Sequence, residues 1–77
     1  MDVQRRVGIN LKTFRLERGL SQEDLALECG LHRTYISGVE RGVRNPTIVV
    51  LEGIAQTLEI STSQLLEEIE APTKSKR

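Results

Sequence analysis

The chain has 77 residues, enough for one domain, and a chain of this length buries only about 60% of its unfolded surface. The composition is 38% hydrophobic, 29% charged and 3% aromatic. No apolar stretch approaches the roughly 20 residues that a membrane span needs, and the N-terminal residues MDVQRRVGIN lack the apolar core of a secretory signal. The single cysteine, Cys29, excludes an intramolecular disulfide and a cysteine-based metal cage. These properties predict a soluble protein of the reducing cytoplasm.

The formal net charge is zero, but the charges are unevenly distributed along the chain. Residues 1–20, 31–45 and 72–77 carry net charges of +3, +2 and +3, whereas residues 21–30 and 46–71 carry −3 and −5. Phosphate binding depends on local clusters of basic side chains, so a total of zero does not exclude a nucleic-acid partner. Taken alone, the charges favour an ordinary solvated surface of mixed sign, and a nucleic-acid partner has to be inferred from the motifs.

The first two predicted helices have clear terminal signals. Helix 1 is predicted from Asp2 to Arg18 and is ended by Gly19, because glycine adopts the left-handed conformation cheaply. Ser21 is the predicted N-cap of helix 2, which ends at Gly30. The residues expected to face inward from these helices recur at helical spacing: Val3, Val7, Leu11 and Phe14 in helix 1, and Leu25, Ala26 and Cys29 in helix 2.

Three further helices are predicted in the second half of the chain. Helix 3 begins near His32 or Arg33 and ends at Gly42, and Thr47 and Ser61 are the predicted N-caps of helices 4 and 5. The expected inward residues are Ile36 and Val39 in helix 3, Ile48, Leu51, Ile54, Ala55 and Leu58 in helix 4, and Leu65 in helix 5. Residues 1–70 therefore form one all-α domain of five helices, and the basic tail 71–77 is expected to be disordered.

Helix 3 has the outward face of a DNA-reading helix. At about 100° per residue, Ile36, Val39 and Glu40 fall on one side of the helix. The opposite side is small or flexible, as insertion into the major groove requires. It consists of Thr34, Ser37, Gly38 and Arg41, with Arg33 in the first turn and Tyr35 on the flank.

Several of these positions have two interpretations. Gly38 costs roughly 1 kcal/mol relative to alanine inside a helix, which either a close approach of DNA or a crowded neighbour within the protein would explain. Gln22, in the first turn of helix 2, either binds phosphate or serves helix capping. Tyr35 either contacts DNA or packs on the turn between helices 2 and 3. His32 is expected at a helix N-cap or rim, and Cys29 is expected to be a small core residue and not a redox sensor.

The segments LSQEDLA and LHRTYISGVERGVRNPT resemble the Xre or Cro/repressor-type helix-turn-helix regulators over roughly Val7 to Leu66. This resemblance implies a lambda-repressor-like fold, with helices 2 and 3 forming the helix-turn-helix. Within the family, RTYISGVERGVRNP is most similar to the controller proteins of restriction–modification systems, which are stand-alone homodimers that regulate their own operon and the endonuclease gene. Two residues depart from the family pattern: Cys29 replaces an aliphatic residue, and Glu59 replaces a helix-ending glycine, which implies a different end to helix 4.

The resemblance also implies roles for individual residues. Arg15 and Glu40 are expected to form a buried ion pair that ties helix 1 to the reading helix. Together with the outward Arg41, the residues matched to DNA contacts are Gln22, Arg33, Thr34, Tyr35, Ser37, Gly38, Arg44 and Asn45. Leu66 and Ile69 exceed what helix 5 needs to cover the core, so they are assigned either to a dimer interface or to covering the core.

The sequence thus predicts a homodimeric, sequence-specific regulator of transcription that binds double-stranded DNA at a pseudo-palindromic operator. An antitoxin or phage-type repressor of the same fold, which also binds a protein partner, is the alternative. An enzyme lacks support, because the chain shows no clustered carboxylates, no Gly-rich phosphate loop and no metal-ligand spacing. No cofactor, metal, small-molecule ligand or membrane partner is expected.

Overall fold

In the computed structural model, which describes residues 1–69, five α-helices follow one another and no strand occurs within that range. Their bounds are Val3–Glu17 (α1), Gln22–Cys29 (α2), Arg33–Glu40 (α3), Ile48–Leu58 (α4) and Thr62–Leu66 (α5). The all-α fold with its five helices is therefore confirmed. The disorder predicted for residues 71–77 lies outside the described residues.

Side-chain caps begin four of the five helices. Asp2 and Thr47 accept hydrogen bonds from the backbone of the first turns of α1 and α4. Ser21 and Asp24 form a reciprocal capping box at the start of α2, with the Asp24 N–H donating to Ser21 Oγ at 2.9 Å. The predicted cap at Ser61 is also present. The N-termini are therefore fixed by short-range sequence signals.

The end of α4 differs from what the sequence suggested. Glu59 was expected to alter this terminus because it stands in place of a glycine, yet its backbone adopts the left-handed conformation itself, with φ of +60°. Its N–H closes the last turn onto Gln56 O, as a glycine cap would. The helix therefore ends as it would with a glycine, and Glu59 carries the backbone strain that a non-glycine residue has in the left-handed conformation.

Residues from all five helices meet in one apolar core. Its largest fully buried side chains are Leu11, Leu25, Ile36, Val39, Ile54, Leu58 and Leu65. Two predicted core positions are wrong: Val3 is 49% exposed and Ile48 is 76% exposed. Both lie in the first turn of a helix, where the apolar stripe runs past the end of the packed core. Phe14 and Cys29 are half-buried at its margin.

Helix α1 packs against α3 and is hydrogen-bonded to the end of α5. A β-carbon at Gly8 would lie 2.5 Å from the carbonyl oxygens of Val39 and Glu40, so α1 and α3 touch backbone to backbone. The Asn10 amide donates to the carbonyl oxygens of Leu65 and Glu67, which holds the end of α5. None of the helices formed by residues 1–69 has both the length and the apolar character needed to span a membrane.

Candidate nucleic-acid interface

Helix α3 is anchored along one side and exposed along the other. Ile36 and Val39 are completely buried, and they attach α3 to α1 and α2. Arg33 and Thr34, at its N-terminal end, are exposed. The predicted division of this helix into an inner apolar side and an outward polar side is therefore confirmed at these positions.

The predicted pair between Arg15 and Glu40 lies behind α3 and is well formed. Arg15 Nε donates to Glu40 Oε2 at 2.6 Å, and Arg15 Nη2 donates to Oε1 at 3.1 Å. Arg15 Nη1 also donates to the carbonyl oxygen of Leu20 at 2.8 Å. The two side chains are only 7% and 4% exposed. A bidentate pair of this kind fixes both the distance and the rotation of α3 relative to α1.

Gln22 is half-buried and is hydrogen-bonded to this buried pair. Its Nε2 donates to Glu40 Oε1 at 3.0 Å, so the carboxylate receives hydrogen bonds from both α1 and α2. The sequence assigned Gln22 either to phosphate or to capping, and in the structure the cap is made by Ser21 and Asp24. One of the two Nε2 hydrogens is therefore directed at Glu40, and because Gln22 is only half-buried, its second hydrogen can serve an acceptor at the surface without releasing Glu40.

Gly38 is likewise not on the open face where the helical wheel placed it. It is buried, and a β-carbon there would lie 2.5 Å from Cγ of Arg44. The Arg44 guanidinium in turn lies 5.7 Å from the centre of the Tyr35 ring, within the range of a cation–π contact. Of the two explanations considered for Gly38, the structure shows the crowded neighbour: the glycine makes room for the aliphatic part of Arg44.

The loop that follows α3 is held against it. The carbonyl oxygen of Gly38 accepts hydrogen bonds from the N–H groups of Val43 and Arg44 at 2.9 and 3.2 Å. Gly42 has φ of +79° and packs against Arg5 of α1. Arg44 and Asn45 are exposed on this loop. Because the loop is fixed at both sides, its basic side chain has a defined position beside α3.

The remaining outward residues form a short polar row. Arg41 Nε donates to Ser37 Oγ at 3.3 Å, one turn apart along the same face. Tyr35 is half-buried and carries Arg44 on its ring. Arg33, Thr34, Arg41, Arg44 and Asn45 are all exposed. The structure thus brings the predicted residues onto one surface, except Gly38, which is buried beneath it, while Gln22 is half-buried and bonded to Glu40.

Two other positions singled out in the sequence, Cys29 and His32, lie away from the outward face of α3 in the core margin and at a helix N-cap. The Cys29 thiol lies 3.5 Å from Thr57 Oγ1 at the edge of the core. His32 occupies the N-cap position of α3 without a capping hydrogen bond from its side chain. Among residues 1–69, no three His, Cys, Asp or Glu side chains are grouped as a metal site would require.

Leu66 and Ile69, assigned from the sequence to a dimer interface or to the core, do not complete the core. They are 39% and 43% exposed, whereas Leu65 beside them is fully buried.

The sequence did not predict two features of the packing. Gly8, which allows α1 to touch α3, leaves no periodic signal, and Ile48 looked like a core residue because it continues the helical stripe of α4.

Two short consecutive helices joined by a turn, with an exposed second helix held from behind by a buried ion pair, define a helix-turn-helix domain. The helix-turn-helix family model matches residues 11–65, more than half of the chain. The chain is 41% identical over 66 residues to the uncharacterized HTH-type transcriptional regulator y4dJ of Sinorhizobium fredii, covering 86% of each protein.

The chain is similar to two restriction–modification controller proteins over most of its length. Control protein C.MunI of a Mycoplasma species is 44% identical over 70 residues, which cover 90% of this chain and 95% of that protein. The crystal structure of the restriction-modification controller protein C.AhdI from Aeromonas hydrophila superposes with a TM-score of 0.78 at 42% identity, over 80% of this chain and 94% of that one. The chain therefore belongs to the helix-turn-helix family of transcriptional regulators and is a DNA-binding protein, not an enzyme.

Proposed function

We propose that the protein binds a pseudo-palindromic operator as a homodimer in the cytoplasm and controls the genes of a restriction–modification system. The observation that carries this proposal is the anchoring of α3: its inner side is fixed by Ile36, Val39 and the Arg15–Glu40 pair, while Arg33 and Thr34 remain exposed. A helix held this rigidly presents its side chains to base edges with no need to order its backbone on binding. The similarity to C.MunI and C.AhdI supports the particular biological role.

The exposed residues on and after α3 divide into those proposed to contact DNA bases and those proposed to contact the DNA phosphate backbone. Arg33, Thr34 and Ser37 lie on α3 and are proposed to contact base edges, since arginine can bond the O6 and N7 atoms of guanine together. Arg41, Arg44 and Asn45 lie at and after the end of α3 and are proposed to contact phosphate. Tyr35 supports Arg44 from below. Gly38 supports DNA binding indirectly, because it leaves space for Arg44. Gln22 supports it by holding the Glu40 carboxylate behind α3.

Selection of bound duplexes from a random DNA pool tests this function directly. Two reading helices in a two-fold dimer enter successive major grooves, so the selected sites should contain two inverted half-sites with centres about 10 base pairs apart. Recovery of a single half-site would contradict the homodimer, and recovery of no common sequence would contradict specific reading by α3. An operator placed before neighbouring methyltransferase or endonuclease genes would support the restriction–modification role.

Arg33→Ala tests the assignment of base reading to one side chain. The substitution should weaken binding to the selected site by ~1–3 kcal/mol and relax the preference at one base pair of each half-site. Lys12→Ala is the matched control, because it removes one exposed positive charge from α1. Titrations on the selected site and on an unrelated duplex would separate the two effects. An equal loss on both duplexes for Arg33→Ala would show that this residue contacts only phosphate.

A further inference from the structure

The first turn of α1 lies against the loop that follows α3. Gln4 Nε2 donates to the carbonyl oxygen of Gly42 at 3.4 Å. A β-carbon at Gly42 would lie 2.9 Å from Cγ of Arg5 and 3.3 Å from its Cα. With φ of +79°, this position favours glycine for its backbone as well as for the space that the Arg5 stem occupies. The Arg5 side chain is therefore seated on the loop, and it remains exposed.

The same loop carries two exposed arginines. Arg41 and Arg44 stand on either side of Gly42 in the sequence. Because consecutive Cα atoms are about 3.8 Å apart, neither arginine Cα is more than about 7.6 Å from that of Gly42. Arg5 thus adds a third positive charge to this edge of the molecule, and it does so from a helix outside the helix-turn-helix.

Most of the basic side chains near the N-terminus are already engaged within the protein. Arg15 belongs to the buried pair, and Arg6 and Arg18 donate to backbone carbonyl oxygens at 3.0 and 2.9 Å. Among residues 1–69, the side chains of Arg5 and Lys12 have neither a hydrogen bond nor an ion pair. Lys12 lies seven residues farther along α1, about 10.5 Å from Arg5 along the helix axis. Arg5 is therefore the free cation that is placed directly on the loop.

The acidic residue nearest to Arg5 in the sequence has a different role. Asp2 Oδ1 accepts a hydrogen bond from the backbone N–H of Arg5 at 2.8 Å and so caps α1. A carboxylate at this position is stabilised by the positive end of the helix dipole. Within residues 1–69, the ion pairs do not include one between Asp2 and Arg5. The Arg5 guanidinium therefore remains available to an anion from outside the protein.

We propose that Arg5 contacts a DNA phosphate, so that the first turn of α1 and the loop 41–45 hold the DNA backbone together. This assignment rests on the proposed phosphate role of Arg41 and Arg44, which brings the loop to the DNA. Guanidinium groups bind phosphate through short, charge-assisted hydrogen bonds. A contact of this kind carries no sequence information, but it helps to fix the orientation of the protein on the duplex.

Arg5→Ala and Arg18→Ala form a matched pair for the test. Each removes one positive charge from an exposed side chain at one end of α1, and circular dichroism checks that both variants fold. Arg18 serves as the control because it is already bonded to the carbonyl oxygen of Leu58 and paired with Glu59. Fluorescence-anisotropy titrations of the full chain at a series of salt concentrations, on the selected duplex and on an unrelated one, give the salt slope of binding.

Arg5→Ala should reduce the salt slope by about 0.9 per protomer on both duplexes, which is the change expected for one lost phosphate contact. The ratio of wild-type to variant affinity should therefore fall about 3.5-fold per protomer between about 50 and 200 mM salt. Arg18→Ala should keep the wild-type slope. Arg5→Lys should also keep it, because lysine binds phosphate as a point charge.

The outcomes separate this inference from the proposed role of the loop. If Arg44→Ala reduces the slope and Arg5→Ala does not, the loop contacts phosphate and the inference is wrong. If Arg5→Ala reduces the slope and Arg44→Ala does not, the inference stands and the role proposed for Arg44 is wrong. An equal reduction for Arg18→Ala, or a slope for Arg5→Lys as low as that for Arg5→Ala, would overturn the inference. It would also be overturned if Arg5→Ala weakened dimerisation in sedimentation and left the slope unchanged.

Discussion

Glu40 is the residue on which the orientation of α3 depends. Its carboxylate accepts hydrogen bonds from Arg15 on α1 and Gln22 on α2, and its own backbone ends the reading helix. Buried ion pairs contribute little net stability compared with apolar packing, but removal of one partner leaves an uncompensated buried charge. Arg15, Gln22 and Glu40 therefore serve mainly to fix the orientation of α3 relative to α1 and α2.

Glu40→Gln should destabilise the protein by ~3–5 kcal/mol, because the buried Arg15 guanidinium loses its counter-charge. Urea unfolding followed by circular dichroism would measure the loss. The control is the double variant Arg15→Met with Glu40→Met, which removes both charges and should cost less than Glu40→Gln alone. A loss below about 1 kcal/mol for Glu40→Gln would show that the pair is solvated and does not fix α3.

Gly38 and Gly53 offer a matched test of the space beneath Arg44. Gly53→Ala should stabilise the protein by about 0.5–1 kcal/mol, since a β-carbon there has no neighbour within 4 Å. Gly38→Ala should lose most of that gain because the new methyl group displaces Arg44. It should also weaken binding to all DNA sequences and reduce the salt slope by about one, as Arg44→Ala would. Unchanged DNA binding by a folded Gly38→Ala would remove Arg44 from the phosphate contacts.

At the scale of elements, the helix ends show where local sequence is sufficient and where packing adds strain. The capped N-termini follow from the side chains next to them. Helix α5 has only five residues and depends on its contacts, including the two hydrogen bonds that Asn10 donates to its last carbonyl groups. Glu59 is held in the left-handed conformation because Ile60 must turn back to the core.

Glu59→Gly should stabilise the protein by about 0.5–1 kcal/mol and raise its melting temperature by about 2–8 °C. The left-handed backbone costs a side chain about 1–2 kcal/mol, and the greater freedom of glycine in the unfolded chain offsets part of that. Glu59→Ala is the control: it also removes the 3.6 Å ion pair with Arg18 but keeps the strained β-carbon. Thermal unfolding that ranks glycine no higher than alanine would show that the conformation is not strained.

At the scale of the whole molecule, a single small core has to hold five helices. A chain of 77 residues buries a limited apolar area, and several large apolar side chains stay exposed, among them Leu27, Ile48 and Val49 at 76–81%. Dimerisation would bury part of that surface and would make stability depend on concentration, because only the folded chain provides the contact.

The melting temperature should therefore rise with protein concentration, as each tenfold increase adds about 1.4 kcal/mol to the unfolding free energy of a dimer. Calorimetry at two concentrations that differ a hundredfold would show the shift. A wild-type melting temperature that is constant over this range would contradict a dimer coupled to folding.

The sequence by itself determined the helices, their caps and the reading helix. These features follow from interactions over a few residues: the 3.6-residue period, capping side chains, left-handed glycines and a distinctive motif around α3. The pairing of Arg15 with Glu40 came from resemblance to a family, because no local pattern joins residues 25 positions apart.

Only the tertiary structure decided what lies against what. It placed Gly38 under Arg44, turned Gln22 inward to Glu40, exposed Val3 and Ile48, and gathered Val3, Pro46 and Leu66 into one groove. Each of these facts depends on where the packed core ends and which chain segment crosses it. A helical period gives the direction of a side chain from its own axis, but the neighbour it meets is fixed by the packing of helices that are far apart in the chain.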